Sequence, residues 1–314
     1  KVPGMNVAKA YMWYKLAIAN GSLEARGAYL INNQQKFIQE YPTSDYIENV
    51  YHIRNYIEFR KAETANTVEG FNLYIQNYPN AAQINTVKTL RNKKGIEFGG
   101  PTGLFSVPEH NLHLYPHVNL DGGNILNNNY FQSNIGSNFT YSEKIGKQFD
   151  IDCTNEKQLS LSERYDFIVT SHAIEHFANP INTLNLWKKY VLKPDGYVLS
   201  IIPNKDFCFD RKRPLTTLEH LISDYKKNIG ENDTTHIEEQ KKLHDWSAGG
   251  LVNFYELCEI NYLTRVVHHH TFNIELVEKM FSYSGFENIV SYIHNFYGTP
   301  LNIVNLSMVK NDNY

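Results

Sequence analysis

The sequence predicts an α/β protein with a seven-stranded, mostly parallel sheet covered by helices on both faces, preceded by an all-α helical-repeat module. Two observations predict this organisation. From Lys93 onward, short apolar runs alternate with helical patterns, which is typical of a parallel sheet. Before Lys93 the patterns are helical throughout. We therefore predict two domains, 1–92 and 93–314.

The first domain contains an internal repeat. The segment Phe37-Ile-Gln-Glu-Tyr-Pro42 recurs 37 residues later as Tyr74-Ile-Gln-Asn-Tyr-Pro79, and apolar residues follow both copies at matching positions. This period is close to that of helix-turn-helix solenoids. The preceding helical segment, Ala8–Ala25, resembles a Sel1-type repeat, a relative of the tetratricopeptide family. Such a module is expected to recruit a partner protein or a second copy of the chain.

The second domain begins with a strand that ends in a carboxylate and a glycine-rich turn, Lys94-Gly-Ile-Glu-Phe-Gly-Gly-Pro-Thr-Gly103. A helix over 182–191 and another over 273–284 are predicted from apolar spacing. Residues 122–146 are predicted to form a loop insertion, and 205–270 a charged helical insertion over the sheet edge. The predicted strands are 94–98, 117–121, 148–152, 165–171, 197–203, 288–294 and 302–309.

Composition limits the function classes. Among 314 residues, 30 basic and 33 acidic side chains give a net charge of −3, so no basic field favours nucleic acid. The three cysteines are far apart, which favours a reducing, cytoplasmic environment over a disulfide framework. No apolar run approaches the length of a membrane span.

Three blocks together resemble the class I S-adenosylmethionine-dependent methyltransferases, whose sheet is Rossmann-like. The blocks are the turn at Glu97–Gly103, the strand and turn at Tyr165–Pro180, and Leu192-Lys-Pro-Asp-Gly-Tyr-Val-Leu-Ser-Ile-Ile-Pro203. One departure is the glycine spacing, which is Glu-x-Gly-Gly-x-x-Gly with Pro101 inside instead of acidic-x-Gly-x-Gly-x-Gly. The turn is therefore expected to differ locally.

The resemblance implies S-adenosyl-L-methionine as the cofactor and assigns its contacts. The glycine turn and its carboxylate would hold the methionine part, the acid after the second strand the ribose, and the acid after the third strand the adenine. Ser171, at the end of the fourth strand, would lie beside the sulfonium. The cofactor-binding residues implied in this way are Glu97, Gly99, Gly100, Gly103, Asp121, Asp152, Cys153 and Ser171.

Two histidines are the candidate catalytic residues. His172 and His176 flank the predicted cofactor edge in Ser171-His-Ala-Ile-Glu-His176. A histidine can take a proton from a hydroxyl acceptor near neutral pH. A packing or capping role is the alternative for His176, so His172 is the stronger catalytic candidate.

The inserted segment is expected to bind the acceptor. Arg211 and Arg213, in Asp210-Arg-Lys-Arg-Pro214, are a candidate clamp for an anionic group or else a solvated charge run. His236 and His269 are further candidates for the acceptor pocket. None of the later histidines, which are His220, His236, His244 and His268–His270, shows a paired ligand spacing such as His-Glu-x-x-His, so we predict no metal and no zinc peptidase.

The acceptor is the least constrained part of the prediction. Segments 213–225 and 231–238 are similar to bacterial methyltransferases linked to surface-glycan assembly, which suggests a sugar or other small hydroxyl compound. The main hypothesis is an O-methyltransferase acting by in-line methyl transfer. The alternatives are a non-catalytic interaction protein that keeps a degenerate methyltransferase fold, favoured by the altered glycine spacing, and a metal-dependent hydrolase.

Overall fold

The computed structural model divides the chain into two compact units, Lys1–Ala81 and Ala82–Tyr314. The structure describes residues 81–106, 112–125, 138–159, 163–248, 253–296 and 299–310. The predicted Sel1-type and 37-residue repeats lie outside these residues. The first described helix, α1 (Ala81–Leu90), belongs almost entirely to the second unit, and its Leu90 is buried in the core.

The second unit is built on an eight-stranded sheet with the order β3-β4-β2-β1-β5-β6-β8-β7. Strands β4, β2, β1, β5 and β6 are parallel, whereas β3, β8 and the β7–β8 hairpin add antiparallel pairs at the two sides. The strands are β1 (Lys94–Phe98), β2 (Asn119–Asn124), β3 (Asn138–Tyr141), β4 (Lys144–Asp150), β5 (Tyr165–Ser171), β6 (Leu192–Pro203), β7 (Phe286–Phe296) and β8 (Thr299–Val309).

The mixed α/β sheet is confirmed, and two details of its prediction are wrong. The described sheet has eight strands instead of seven, because β3 (Asn138–Tyr141) forms within the segment 122–146 that was predicted as a loop insertion, and β4 starts earlier than the predicted strand 148–152. The second strand also starts and ends later than predicted, at Asn119 and Asn124. Asp121 therefore lies within the strand and Asn124 at its end.

Helices cover both faces of the sheet and bury alternate strand residues. On one face, Ile96 and Ile168 pack with Trp187 and with residues of α7 (Ile274–Tyr283). The helix α2 (Pro180–Leu186), which continues as a π-helical turn over Trp187–Val191, covers the same face. On the other face, Phe167 and Val169 share a second apolar cluster with Leu90 of α1. The period of two along β5 explains this division.

The segment between β6 and α7 is largely helical in the described residues. It contains α3 (Leu218–Lys227), α4 (Ile237–Leu243), α5 (Phe254–Glu259) and α6 (Asn261–Thr264), followed by an extended stretch that leads to α7. A small apolar cluster of its own, which includes Ile237 and Phe254, supports the segment. None of the helices in the described ranges is long and apolar enough to cross a membrane.

Candidate functional site

A cavity of about 820 Å³ opens at the carboxyl ends of β1, β2, β4 and β5. The chain order of the strands reverses between β1 and β5, and ligands of open α/β sheets bind in the crevice outside such a reversal. One wall of the cavity consists of strand ends, and we call it the sheet wall. The opposite wall comes from the inserted segment and from the turn after β5, and we call it the insert wall. It includes Glu175, His176, Cys208, Phe209, His244, Phe254, Val266 and His268.

The glycine turn at the end of β1 lines the sheet wall through Gly99, Gly100 and Pro101. Gly99 has a φ of +82°, a conformation that side chains rarely adopt. A Cβ on Gly100 would lie 2.1 Å from Cδ of Glu97, so only glycine fits above that carboxyl group. Gly103 is different, because a Cβ there would meet nothing within 4 Å and the residue does not line the cavity.

The carboxyl group of Glu97 lies beneath this turn and does not line the cavity. Its oxygens accept hydrogen bonds from the Thr102 backbone N–H (3.0 Å) and from the Tyr115 hydroxyl (2.8 Å). Complete burial raises the pKa of Glu97 to about 8, although both hydrogen bonds act in the opposite direction. Glu97 therefore supports the turn from below.

At β2, the residue that reaches the cavity is Asn124 and not Asp121. Asp121 accepts hydrogen bonds from the Tyr165 hydroxyl (2.9 Å) and the Lys147 backbone N–H (2.9 Å), away from the cavity. Asn124 donates to the Gly100 carbonyl at 3.0 Å. Its buried Oδ1 has no hydrogen-bond partner among the described residues, so a ligand hydroxyl could donate to it.

Asp152 and Cys153, after β4, also line the cavity. Both carboxylate oxygens of Asp152 are already bound. Oδ1 accepts from the backbone N–H and hydroxyl of Thr154, and Oδ2 lies 2.6 Å from Nη2 of Arg265. Burial raises the pKa of the Cys153 thiol well above its ordinary value. The thiol is therefore neutral.

Ser171 and His172, at the end of β5, line the cavity between the two walls. His172 has a φ of +51°, an unfavourable conformation for a residue with a side chain, and such strain is found preferentially at functional sites. Its Nε2 lies 2.9 Å from Oδ1 of Asn302, which can only accept, so Nε2 carries the proton and Nδ1 is free to accept one. Desolvation lowers the pKa of His172.

Three histidines surround the carboxyl group of Glu175. Nδ1 of His172, Nε2 of His176 and Nε2 of His268 each lie 3.9 Å from Glu175 Oε1. Both Glu175 oxygens are buried and have no hydrogen-bond partner within the described part of the chain. Burial raises the pKa of Glu175 to about 7. Glu175, His176 and His268 could therefore share a proton, or hold a cation.

His268 is paired with a buried carboxylate in the manner of a catalytic base. Its Nδ1 lies 2.5 Å from Oδ2 of Asp210, which leaves Nε2 as the acceptor toward the cavity. Burial alone would raise the pKa of Asp210, but His268 and Arg213 outweigh it and hold the pKa well below its usual range. The carboxylate thus stays ionised and fixes the tautomer of the ring.

The four predicted acceptor residues do not line the cavity. The buried guanidinium of Arg213 binds Asp210 (3.0 Å), Glu239 (2.8 Å) and the His268 carbonyl (2.8 Å). Arg211 is half-exposed and pairs with Asp245 and with Ser247. His236 and His269 lie behind the insert wall, in a second group of histidines.

Sequence reasoning missed four residues of this site: Asn124, Glu175, Asp210 and His268. Asn124 was missed because the end of β2 was predicted three residues too early. The pairing of Asp210 with His268 spans 58 residues, and no local spacing reveals it. The only signal for Asp210 in the sequence is its position three residues before Arg213.

Comparison with known protein families identifies the family of the chain. A family model described as a methyltransferase domain matches residues 71–290. The chain belongs to this methyltransferase family. No curated protein is detectably similar to it in sequence.

Several solved structures resemble the methyltransferase chain at low identity. The CurJ carbon methyltransferase is 14% identical with a TM-score of 0.38, and the match covers 89% of this chain and 71% of that one. A possible histamine N-methyltransferase of Thermotoga maritima is 16% identical with a TM-score of 0.37, covering 74% and 89%. Human N-acetylserotonin methyltransferase, solved with S-adenosylmethionine, is 12% identical with a TM-score of 0.40, covering 91% and 66%.

Proposed function

We propose that this protein is an S-adenosylmethionine-dependent O-methyltransferase that methylates a hydroxyl group of a sugar or another small molecule. The observation that carries the proposal is a single cavity with a glycine turn on its sheet wall and the Asp210–His268 pair on its insert wall. The first feature suits a nucleoside cofactor, and the second suits removal of a proton from an acceptor.

The sheet wall fits the cofactor. Gly99 and Gly100 allow close approach of a ligand to the backbone, and the unpaired Oδ1 of Asn124 suits a ribose hydroxyl. Asp152 and Cys153 would border the adenine, with Ser171 nearer the reacting end. When bound, S-adenosylmethionine supplies an activated methyl group on a sulfonium. Asp121 and Glu97 contribute through the strand and the turn that they support.

The insert wall supplies a base for the acceptor. Nε2 of His268 accepts the proton of the acceptor hydroxyl, and Asp210 stabilises the imidazolium that forms. Nδ1 of His172 and the carboxyl group of Glu175 lie beside this position and can pass the proton on toward solvent, because the pKa of Glu175 is about 7. His176 shapes the same corner through an edge-to-face contact with His268.

The acceptor pocket is aromatic. Phe209 stacks on His244, and His244 lies 4.7 Å from Phe254 between ring centroids. Such a wall suits an acceptor with a flat apolar face. Neither Arg211 nor Arg213 lines the cavity, and each is paired with carboxylates of the inserted segment, so the proposed anionic clamp would lie outside this pocket. A cytoplasmic location, and recruitment of a partner by residues 1–92, stay predictions.

Isothermal titration with S-adenosylhomocysteine is the first test. Saturable binding is expected, with affinity in the micromolar range typical of cofactors. A screen of nucleotide-sugars and glycans with methyl-labelled cofactor then identifies the acceptor. Absence of binding at millimolar S-adenosylhomocysteine would contradict the proposed enzymatic activity and favour the alternative of a non-catalytic interaction protein. Binding without transfer to any hydroxyl compound would contradict O-methylation only.

A substitution series tests the roles within the cavity. His172→Ala is expected to lower turnover while the affinity for S-adenosylhomocysteine changes little, since His172 faces Glu175 and Asn302. His176→Ala is expected to have a smaller effect. If both variants keep full turnover, the proposed proton path through His172 and Glu175 is wrong.

A further inference from the structure

A second group of histidines lies behind the insert wall and takes no part in the proposed reaction. It consists of His220, Asp224, His236 and His270, and we call it the outer cluster. One ligand atom from each residue lies within 4.8 Å of those of the other three. Two members are buried and two are half-buried, so the cluster is largely shielded from solvent.

The members come from three separate parts of the chain. His220 and Asp224 are four residues apart on α3, which places both on one face of the helix. His236 directly precedes α4, and His270 belongs to the extended stretch after α6. A ligand bound here would connect the inserted helices to the stretch that carries His268.

The distances match a small tetrahedral cation. Nε2 of His220 lies 3.2 Å from Nε2 of His236 and 3.2 Å from Oδ2 of Asp224. Bonds of about 2.0–2.1 Å to zinc place the ligands of a tetrahedron about 3.3–3.4 Å apart. His270 is the fourth member, with Nε2 at 3.9 Å from Asp224 Oδ2. This nitrogen also lies 3.3 Å from the Ala178 carbonyl, and binding through it would replace that hydrogen bond.

Two buried polar atoms of the outer cluster are left without a hydrogen bond in the described residues. Oδ2 of Asp224 and Nδ1 of His270 are buried without a hydrogen-bond partner among the residues that the structure describes. Buried polar atoms are rarely left in this state without an ion, a water molecule or another ligand.

An outer layer of residues orients the cluster. His236 also lies close to Asp233 and His269. His269 accepts a hydrogen bond from the Asn261 side chain at Nε2 (3.1 Å), which directs its Nδ1 toward Asp233 at 3.6 Å. Asp233 therefore supports the ring of His269, which lies next to the cluster.

We propose that His220, Asp224, His236 and His270 bind a divalent first-row transition cation, zinc foremost, that holds the inserted segment in place. Three imidazoles and one carboxylate suit zinc better than magnesium or calcium, which prefer oxygen ligands. The inner group at Glu175 is the weaker candidate, because all three of its nitrogen-to-carboxylate distances are 3.9 Å, whereas two distances in the outer cluster are 3.2 Å, and because it borders the cavity.

Metal analysis of the full chain, purified without a histidine tag, tests the proposal. After incubation with zinc and removal of the excess, about one equivalent is expected to stay bound. The double variant His220→Ala/His236→Ala is expected to lose it, whereas His113→Ala/His117→Ala, a pair of histidines elsewhere on the surface, keeps it.

Two controls keep the result interpretable. Thermal unfolding and circular dichroism show whether the double variant is folded; if it is not, Asp224→Asn, which preserves shape, replaces it. His268→Ala reports on the inner group. Zinc retained by the folded outer variant and lost by His268→Ala would overturn the proposal, and so would a wild-type chain that binds no zinc. Neither result depends on methyl transfer.

Discussion

The two walls of the cavity are built in different ways. The sheet wall consists of backbone turns at strand ends, where Gly99, Gly100 and Asn124 present peptide groups and one amide. The insert wall consists of side chains that meet across long stretches of sequence, such as Asp210 and His268. Under the proposed function, this difference means that main-chain shape would recognise the cofactor, whereas charged and aromatic side chains would bind the acceptor and take its proton.

The largest expected effect is on the insert wall. His268→Ala removes the proposed base and is expected to lower turnover about 10²–10⁴-fold. The affinity for S-adenosylhomocysteine, measured by titration calorimetry, should change less than about threefold. An equal loss of affinity and turnover would mean that the two walls are not separate in function. Asp210→Asn should flatten or shift the pH profile of turnover, which a merely structural role would not do.

The next largest effect concerns Glu97 beneath the sheet wall. Its pKa is raised from 4.5 to about 8 in the folded chain, so the folded state holds a proton that the unfolded state releases between these values. Stability is therefore lost as the pH rises through this window, at up to about 1.4 kcal/mol per pH unit. Glu97→Gln should unfold at a higher temperature than wild type near pH 8, with a smaller difference near pH 5. A difference that does not change with pH would contradict the buried neutral carboxyl group.

A smaller effect is expected from the glycine turn. Gly100→Ala would place a Cβ against the Glu97 carboxyl group, so the turn must shift and the affinity for S-adenosylhomocysteine should fall about tenfold or more. Gly103→Ala is the matched control, because its Cβ meets nothing within 4 Å. Equal affinities of the two variants would show that the cofactor does not depend on this turn.

The smallest expected effect distinguishes the two polar residues of β2. Asn124→Leu removes the unpaired acceptor at the cavity and is expected to weaken S-adenosylhomocysteine about three- to tenfold, the size of one hydrogen bond. Asp121→Asn should leave the affinity nearly unchanged and lower the melting temperature instead, because Asp121 binds Tyr165 and Lys147. The reverse result would favour the sequence-based assignment of Asp121 to the ribose.

The sequence allowed accurate prediction where local pattern determines structure. The strands 94–98 and 165–171 were predicted to the residue, because each is a short run that is buried on both faces. The strand β4 was placed too late, at 148–152, because its sequence Lys-Ile-Gly-Lys-Gln-Phe-Asp is half polar and only partly buried. The strand β3 was missed because it has only four residues, of which two are exposed.

The residues of the candidate site at strand ends could be predicted from the sequence, whereas those in the inserted segment could not. The glycine turn, Asp152 and His172 follow strands, and parallel strands bring their ends to one edge. By contrast, Arg213 resembles an anion clamp in sequence, yet tertiary pairing with Asp210 and Glu239 buries it. The outer cluster was missed because its ligands belong to three segments, so no spacing motif links them.

The left-handed backbone of His172 has a consequence for the evolution of the chain. A histidine in this conformation lowers the free energy of unfolding. Glycine or asparagine at this position would restore part of it. Selection for heat resistance alone, without selection for methylation, is therefore expected to replace His172 early with one of these residues. Thermal stability and catalytic activity therefore favour different residues at position 172.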